Sequence, residues 1–236
     1  MKSLKLILCL VLCSVFCFVA TLAFAGEITV NGNGETYVSA DTVYITLGVQ
    51  IRNSNVHEAQ NSVNERINAI REALTAMGIP KEDINTDQLY IYMYTEFSDD
   101  GEEKNVYQVS SMLTVRSNDV TVAGSIIDNS FAAGANTLEG VRFSATDTEE
   151  AENEAIRRAV TDARRKADVI AEAAGLKITG IEKLNEGSLS NFDSGVNNFT
   201  MTREEAKAAG ASTEIQAAKL CVSATITVVF DTDDCD

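Results

Sequence analysis

Side chains that could carry chemistry are few and scattered in this chain: it has one histidine and five cysteines in 236 residues. His57 stands between Asn55 and Glu58, at the start of a helical pattern. A nucleophilic triad needs an imidazole beside a serine or cysteine and a carboxylate. No Gly-x-Ser-x-Gly elbow supplies the nucleophile, so His57 reads as an exposed helix-start residue. Asn31-Gly32-Asn33-Gly34-Glu35 has glycines but lacks the lysine and following helix of a phosphate loop; it reads as a turn. Asp231, Asp233, Asp234 and Asp236 could hold calcium weakly, but without the bending glycine and bidentate glutamate of a calcium loop. They read as a solvated acidic tail. A single histidine removes most two-histidine metal sites. No catalytic, cofactor-binding or metal-ligating set is assigned.

The thiols depend on the N-terminus. Lys2 and Lys5 precede an uncharged apolar run, Leu6 to Ala25, that ends in Ala23-Phe24-Ala25. This is the layout of an export signal cut before Gly26, so residues 1–25 are expected to be a signal peptide. The rival is an uncleaved anchor, since about 20 apolar residues suffice to span a bilayer. Cys9, Cys13 and Cys17 leave with the signal, and the candidate thiols are Cys221 and Cys235. Cys221 opens a strand running to Phe230, roughly 30 Å away at the strand rise, and five more residues reach back at most about 17 Å. A bridge within the chain is therefore awkward, which leaves two free thiols or a bridge between chains through Cys235. A peroxidatic role for Cys221 would need an electropositive setting, and only Lys219 is near in sequence.

Charge narrows the partners. The formal net charge is −16, and cleavage leaves 17 basic and 35 acidic side chains, a net of −18. Nucleic-acid binding needs basic surface, and so does electrostatic docking on anionic lipid; neither fits.

The elements alternate along the chain. Glu27–Val30 is a short strand before the Asn-Gly turn, and Thr42 to Arg52 alternates as a half-buried strand. Val56, Ala59, Val63, Ile67, Ile70, Leu74 and Met77 predict an amphipathic helix, with Asn55 and Glu58 in capping-box positions and Gly78 and Pro80 as the stop. A hairpin follows, Leu89–Phe97 and Tyr107–Val115 around Asp99-Asp100-Gly101. Then come a short helix from Asp119 to Phe131, a strand at Leu138–Phe143, and a long helix over 147–174 with a second capping box at Thr146 and Glu149. Strands at Ile178–Asn185 and Leu220–Phe230 flank a long polar loop, 188–212, expected to be mobile. Helices stop at Gly78, Gly134 and Gly175, each before a strand. The fold class is α+β: two small antiparallel-sheet-plus-helix units in a loose internal duplication, 26–118 and 119–236.

Two features point to assembly. One face of the Leu89–Phe97 strand is aliphatic and is expected to meet the core. The other presents Tyr90, Tyr92 and Tyr94, with Tyr107 nearby across the hairpin, a candidate oligomer interface because tyrosine joins apolar area to a hydroxyl. The alternative is a helix of the same chain covering them. Alanines at 151, 155, 159, 163, 167 and 171 also allow close helix packing, against another copy or against the chain's own sheet.

The order of Gly32-Asn33-Gly34-Glu35, Asp41, Ala76-Met77-Gly78-Ile79, Asp83-Ile84-Asn85-Thr86, Ile126-Ile127-Asp128 and Gly140-Val141-Arg142-Phe143 is distinctive. With the run from Glu154 to Ala167 and Ala174-Gly175-Leu176, it resembles the SIMPL-domain (DUF541) family from about Glu27 to Phe230. The resemblance implies an exported bacterial α+β protein, periplasmic or secreted, that forms homo-oligomers, with a loose link to envelope or oxidative stress. It carries no established catalytic residues, so none is assigned by it. The expected role is a non-enzymatic homo-oligomeric envelope or interaction component, with an envelope protein as a further partner and no membrane span after cleavage. The alternative is a thiol-based oxidative-stress enzyme using Cys221.

Overall fold

The computed structural model describes residues 26–97, 103–192, 195–196, 201–202, 213, 215–217 and 219–234. The elements are β1 (Gly26–Ser39), β2 (Thr42–Asn53), α1 (Val56–Ala76), β3 (Ile84–Phe97), β4 (Glu103–Ser117), α2 (Ala123–Ala132), β5 (Thr137–Ser144), α3 (Glu149–Ala174), β6 (Leu176–Phe192), β7 (Gly195–Val196), β8 (Met201–Thr202) and β9 (Lys219–Asp234). Two antiparallel sheets and three helices make the α+β fold that the sequence patterns lead one to expect. The chain divides into two compact units. One takes in β1 up to Gly34, residues 156–188, and β9 from Ala224; the other takes in residues 35–155 and 189–223. Residue 118 lies in the turn between β4 and α2, within the second unit.

The larger unit is built on the strand order β3-β4-β2-β5-β7, with β8 also on β5. Alternation in β2 sends Val43, Ile45, Leu47 and Val49 to the core, where Val109, Leu113 and Val115 of β4 join them. In β5 the pairing with β2 shifts at Thr46/Leu47, so Leu138 shares the core with Val141 and Phe143. The apolar stripe of α1 (Ala59, Val63, Ile67, Ile70, Leu74) and Ile126, Ile127 and Phe131 of α2 close over that face. Asn55 caps α1 as expected, its Oδ1 accepting from the His57 and Glu58 amides. The reciprocal half of the box is made differently: the Asn55 amide donates to Asn53 Oδ1, and Glu58 instead accepts from Asn53 Nδ2. All three helix-ending glycines have positive φ, as their stop positions require. The Asp41 carboxylate ties the β1–β2 corner to the segment after β5, accepting from the Thr42 hydroxyl and from the Thr146 amide and hydroxyl. Thr146 is thus taken, and the pair at the start of α3 is Thr148 with Glu152, two and three residues beyond the expected Thr146 and Glu149.

The smaller unit sets α3 against the three-stranded sheet β1-β9-β6. Here the expected Asn-Gly turn is overturned: Asn31-Gly32-Asn33-Gly34 runs straight through the middle of β1. Gly32 and Gly34 fall on the buried face, and Asn31 and Asn33 on the other, where their Oδ1 atoms accept from Thr227 and Thr225 of β9. Gly32 is needed for closeness, since a Cβ there would sit 2.0 Å from the Ala159 carbonyl oxygen of α3. The alanine ladder serves the same contact. Ala159, Ala163 and Ala167 are fully buried within the chain, so the ladder packs on its own sheet and leaves no face for another copy.

Two other expectations change. β9 continues through Asp231, Asp233 and Asp234, so these belong to a strand, with Asp233 and Asp234 exposed to solvent as expected; Asp236 lies outside the described residues. β6 extends to Phe192, and β7 and β8 add to β5, so part of the expected loop 188–212 is strand; its remaining residues lie outside the described ones.

Candidate functional site

The candidate interface residues lie on the β3–β4 hairpin, whose turn falls outside the described residues. Directly opposed residues of an antiparallel pair share a face. Tyr90 stands opposite Ser110, Tyr92 opposite Gln108 and Tyr94 opposite Val106, so these three tyrosines form one row. The Tyr90 and Tyr92 rings stack, with centroids 5.7 Å apart. Tyr107 does not join them. It is opposite Met93, on the other face with Leu89 and Ile91, because the pairing of Phe97 with Glu103 across the turn sets every pair as far as Gln88 to the same parity.

The aliphatic row departs from expectation more strongly. It does not enter the core: Leu89, Ile91, Met93 and Phe97 are exposed along with Tyr90 and Tyr92, over a range from 44% at Tyr90 to 72% at Phe97. α1 packs on β2 and β4 and meets β3 only at its start, where Ile84 joins the core and Arg71 donates to the Ile84 carbonyl, which leaves β3 from Leu89 onward beyond its cover. β3 thus exposes apolar side chains on both faces. β3 is also the last strand of its sheet, and its far edge pairs with no described strand.

Tyr94 differs from its neighbours. It is half-buried, and the Arg52 guanidinium lies 5.7 Å from its ring centre. Burial, then the neighbouring Glu96 carboxylate, hold its phenol above its ordinary pKa. Its enclosed hydroxyl makes no hydrogen bond among the described residues. An unsatisfied buried hydroxyl carries a desolvation cost of about 1–3 kcal/mol. Tyr94→Phe is therefore expected to be neutral or stabilising by up to about 1 kcal/mol in chemical denaturation, and a clear loss would show that the hydroxyl is bonded.

Elsewhere the chemistry is sparse. Cys221 is a half-buried free thiol on β9, and Cys235 lies outside the described residues. His57 is exposed at the first turn of α1. Among the described residues no group of three or more His, Cys, Asp or Glu is placed to hold a metal. An open groove of about 630 Å³ runs beside the C-terminal half of α1, lined by Asn68, Arg71, Glu72, Thr75, Ala76, Lys81 and Ile84. Its arginine is engaged, donating to the Ile84 carbonyl at 2.6 Å and the Thr86 hydroxyl at 2.8 Å. Asp87 and Glu139 are the extra residues at the two register shifts of the sheet; burial, then the Asp87 charge, raise the Glu139 carboxyl above the usual range.

Sequence reasoning about the hairpin found the tyrosines but missed the exposed aliphatic row and the open edge. A signal for both exists. Gln88 to Thr95 contains no charge and no proline, in a chain where 23% of residues are charged, and an edge strand is usually blunted by one or the other.

Known proteins align along the same span. A family model described as SIMPL, a protein of unknown function (DUF541), matches residues 28–230. The 26 kDa periplasmic immunogenic protein of Brucella abortus (strain S19) is 28% identical over 210 residues, covering 87% of this chain and 84% of that protein. The protein of the same name from Brucella melitensis biotype 1 is 27% identical with the same coverage. Since the match extends from the third residue of β1 into β9 and takes in both compact units, the chain belongs to the SIMPL (DUF541) family.

Proposed function

We propose that this protein is a non-enzymatic extracytoplasmic component that works by assembling with copies of itself through the β3–β4 hairpin. The observation that carries the reading is the outer strand of the hairpin, β3, whose apolar side chains are exposed on both faces. A contiguous patch of exposed large apolar side chains on a soluble chain marks an interaction site, and aromatic and methionine side chains are the types enriched there. The extracytoplasmic setting is supported by the apolar N-terminal run ending in Ala-Phe-Ala and by the word periplasmic in the names of both Brucella relatives. No helix among the described residues is long and apolar enough to cross a membrane. An envelope protein is the natural further partner for such an assembly.

Light scattering at tens of micromolar tests the reading. The wild type is expected to run as a multimer and Tyr92→Glu as a smaller species, because a carboxylate at the centre of the row would be buried without a partner. A strict monomer for the wild type would overturn the proposal. The non-enzymatic half has its own test. Peroxide consumption is expected to be indistinguishable between wild type and Cys221→Ser; turnover lost in the variant would replace this reading with a thiol enzyme.

A further inference from the structure

We infer that two copies join edge to edge along β3, antiparallel about a two-fold axis, fusing their larger sheets into one. The inference rests on the assembly reading above and specifies which atoms meet: backbone amides and carbonyls of the open edge, not the tyrosine face alone.

Three observations carry it. The first is that β3 is left open while another edge of the same chain is closed. β1 is the outer strand of the smaller sheet, and α3 caps its backbone: the Asn33 amide donates to Asp162 Oδ2 at 3.0 Å, and Lys166 Nζ donates to the Asn31 carbonyl at 2.8 Å. β3 has a shift at Asp87, and from Gln88 to Thr95 nothing blunts its edge: no lysine, no proline, no charge. Such an edge is a template for another strand.

The second observation is self-complementarity. A two-fold axis perpendicular to a sheet keeps each face on its own side, so only residues of the same parity can oppose one another. Around a centre at Ile91, Tyr90 meets Tyr92 and Leu89 meets Met93, with Tyr94 facing Gln88; around a centre at Tyr92, Tyr90 meets Tyr94 and Ile91 meets Met93, with Leu89 facing Thr95. With the centre at Tyr92, Glu96 faces Gln88 and Asp87 faces Phe97, so no like charges are opposed. A chain of net charge −16 meets its copy along an uncharged stretch.

The third is area. Leu89, Tyr90, Ile91, Tyr92, Met93 and Phe97 are each about half exposed or more. They expose on the order of 600 Å² of side chain per copy, of which a strand added at the edge covers the flank on both faces; with the strand backbones this makes an interface smaller than the ~800 Å² per partner of a standard one.

Single cysteines at positions 90, 91, 92, 93 and 94, in the full chain with Cys9, Cys13 and Cys17 changed to alanine and Cys221 and Cys235 to serine, test the geometry by oxidative cross-linking. Edge pairing is expected to give covalent dimer at one position on the axis, falling off to both sides regardless of face. Cross-links at 90, 92 and 94 with 91 and 93 silent would mean packing by the tyrosine face and would overturn edge pairing. Ile91→Lys and Tyr92→Lys provide a second measurement, with circular dichroism as the check on folding. Both are expected to weaken self-association about tenfold or more, because the lysine on the axis faces its own copy and the other stands diagonally across from its copy. A multimer that survives both lysines, with no cross-link on β3, overturns edge pairing and leaves the assembly reading standing. A wild-type monomer overturns both.

Discussion

Gly32→Ala is expected to destabilise the protein by about 3 kcal/mol or more, well beyond an ordinary substitution. A Cβ at this position would lie 2.0 Å from the Ala159 carbonyl oxygen, 2.7 Å from the Ala163 Cβ and 2.8 Å from the Ala163 amide nitrogen. Two of these three atoms are helix backbone, which cannot rotate away as a flexible side chain can. β1 and α3 would have to separate by about an ångström to restore a normal contact. That movement pulls at the Asn33–Asp162 and Lys166–Asn31 hydrogen bonds on either side, so one added methyl group loosens packing and polar contacts together. Gly140→Ala is the control, because a Cβ there meets nothing within 4 Å; its midpoint is expected to stay within about 0.5 kcal/mol of wild type. Urea unfolding followed by circular dichroism measures both. Equal midpoints for the two variants would show that β1 and α3 do not approach so closely.

Asp162→Asn is expected to cost about 2 kcal/mol at neutral pH and to flatten the loss of stability in acid. Asp162 accepts from Lys166 and Arg165 at 2.6 Å each and from the Asn33 amide at 3.0 Å. Lys166 foremost, then the Asn33 amide and Arg165, hold its carboxyl well below the usual carboxylate range. A carboxyl lowered in the folded state stabilises the protein above its unfolded pKa, about 3.9. That contribution fades as pH falls through the folded value. The wild type should therefore lose more stability than Asp162→Asn between pH 5 and pH 2. Asp41 and Asp119 are also lowered, by the Thr42 and Thr121 hydroxyls first, so the variant keeps part of the acid sensitivity. Glu182 acts in the opposite sense: the Glu27 charge foremost, then burial, raise it, which favours folding when it protonates. Parallel wild-type and variant curves down to pH 2 would show that Asp162 is not held in this network.

Much of the architecture was legible in the residues. The β2 alternation, the α1 stripe with its Asn55 cap, the β3–β4 hairpin and the three glycine stops are all present, because each is a local pattern written within one or two turns of chain. The misreadings share a cause. Asn31-Gly32-Asn33-Gly34 has the composition of a turn and becomes strand because α3 needs the space a side chain would occupy. Thr146 has the position of a cap and is claimed by Asp41, 105 residues earlier in the chain. The acidic run at 231–234 looks like a tail and is drawn into β9, where Asp231 stands on one face and Thr232, buried, on the other.

The candidate site divides in the same way. That Tyr90, Tyr92 and Tyr94 share a face follows from the two-residue period of a strand and needs no partner. That Tyr107 lies on the opposite face follows from the register across the turn, which the strand sequences do not specify. Whether an aliphatic row meets a core or water depends on which strand a helix chooses to cover. The sequence by itself determined the fold class and most of the element order, because these rest on short-range periodicity and capping, and it carried the family in the order of its motifs. Only the tertiary structure decided that β3 from Leu89 onward stands outside the cover of α1 with an edge that no described strand pairs, because strand order and helix placement are settled by contacts between residues far apart along the chain.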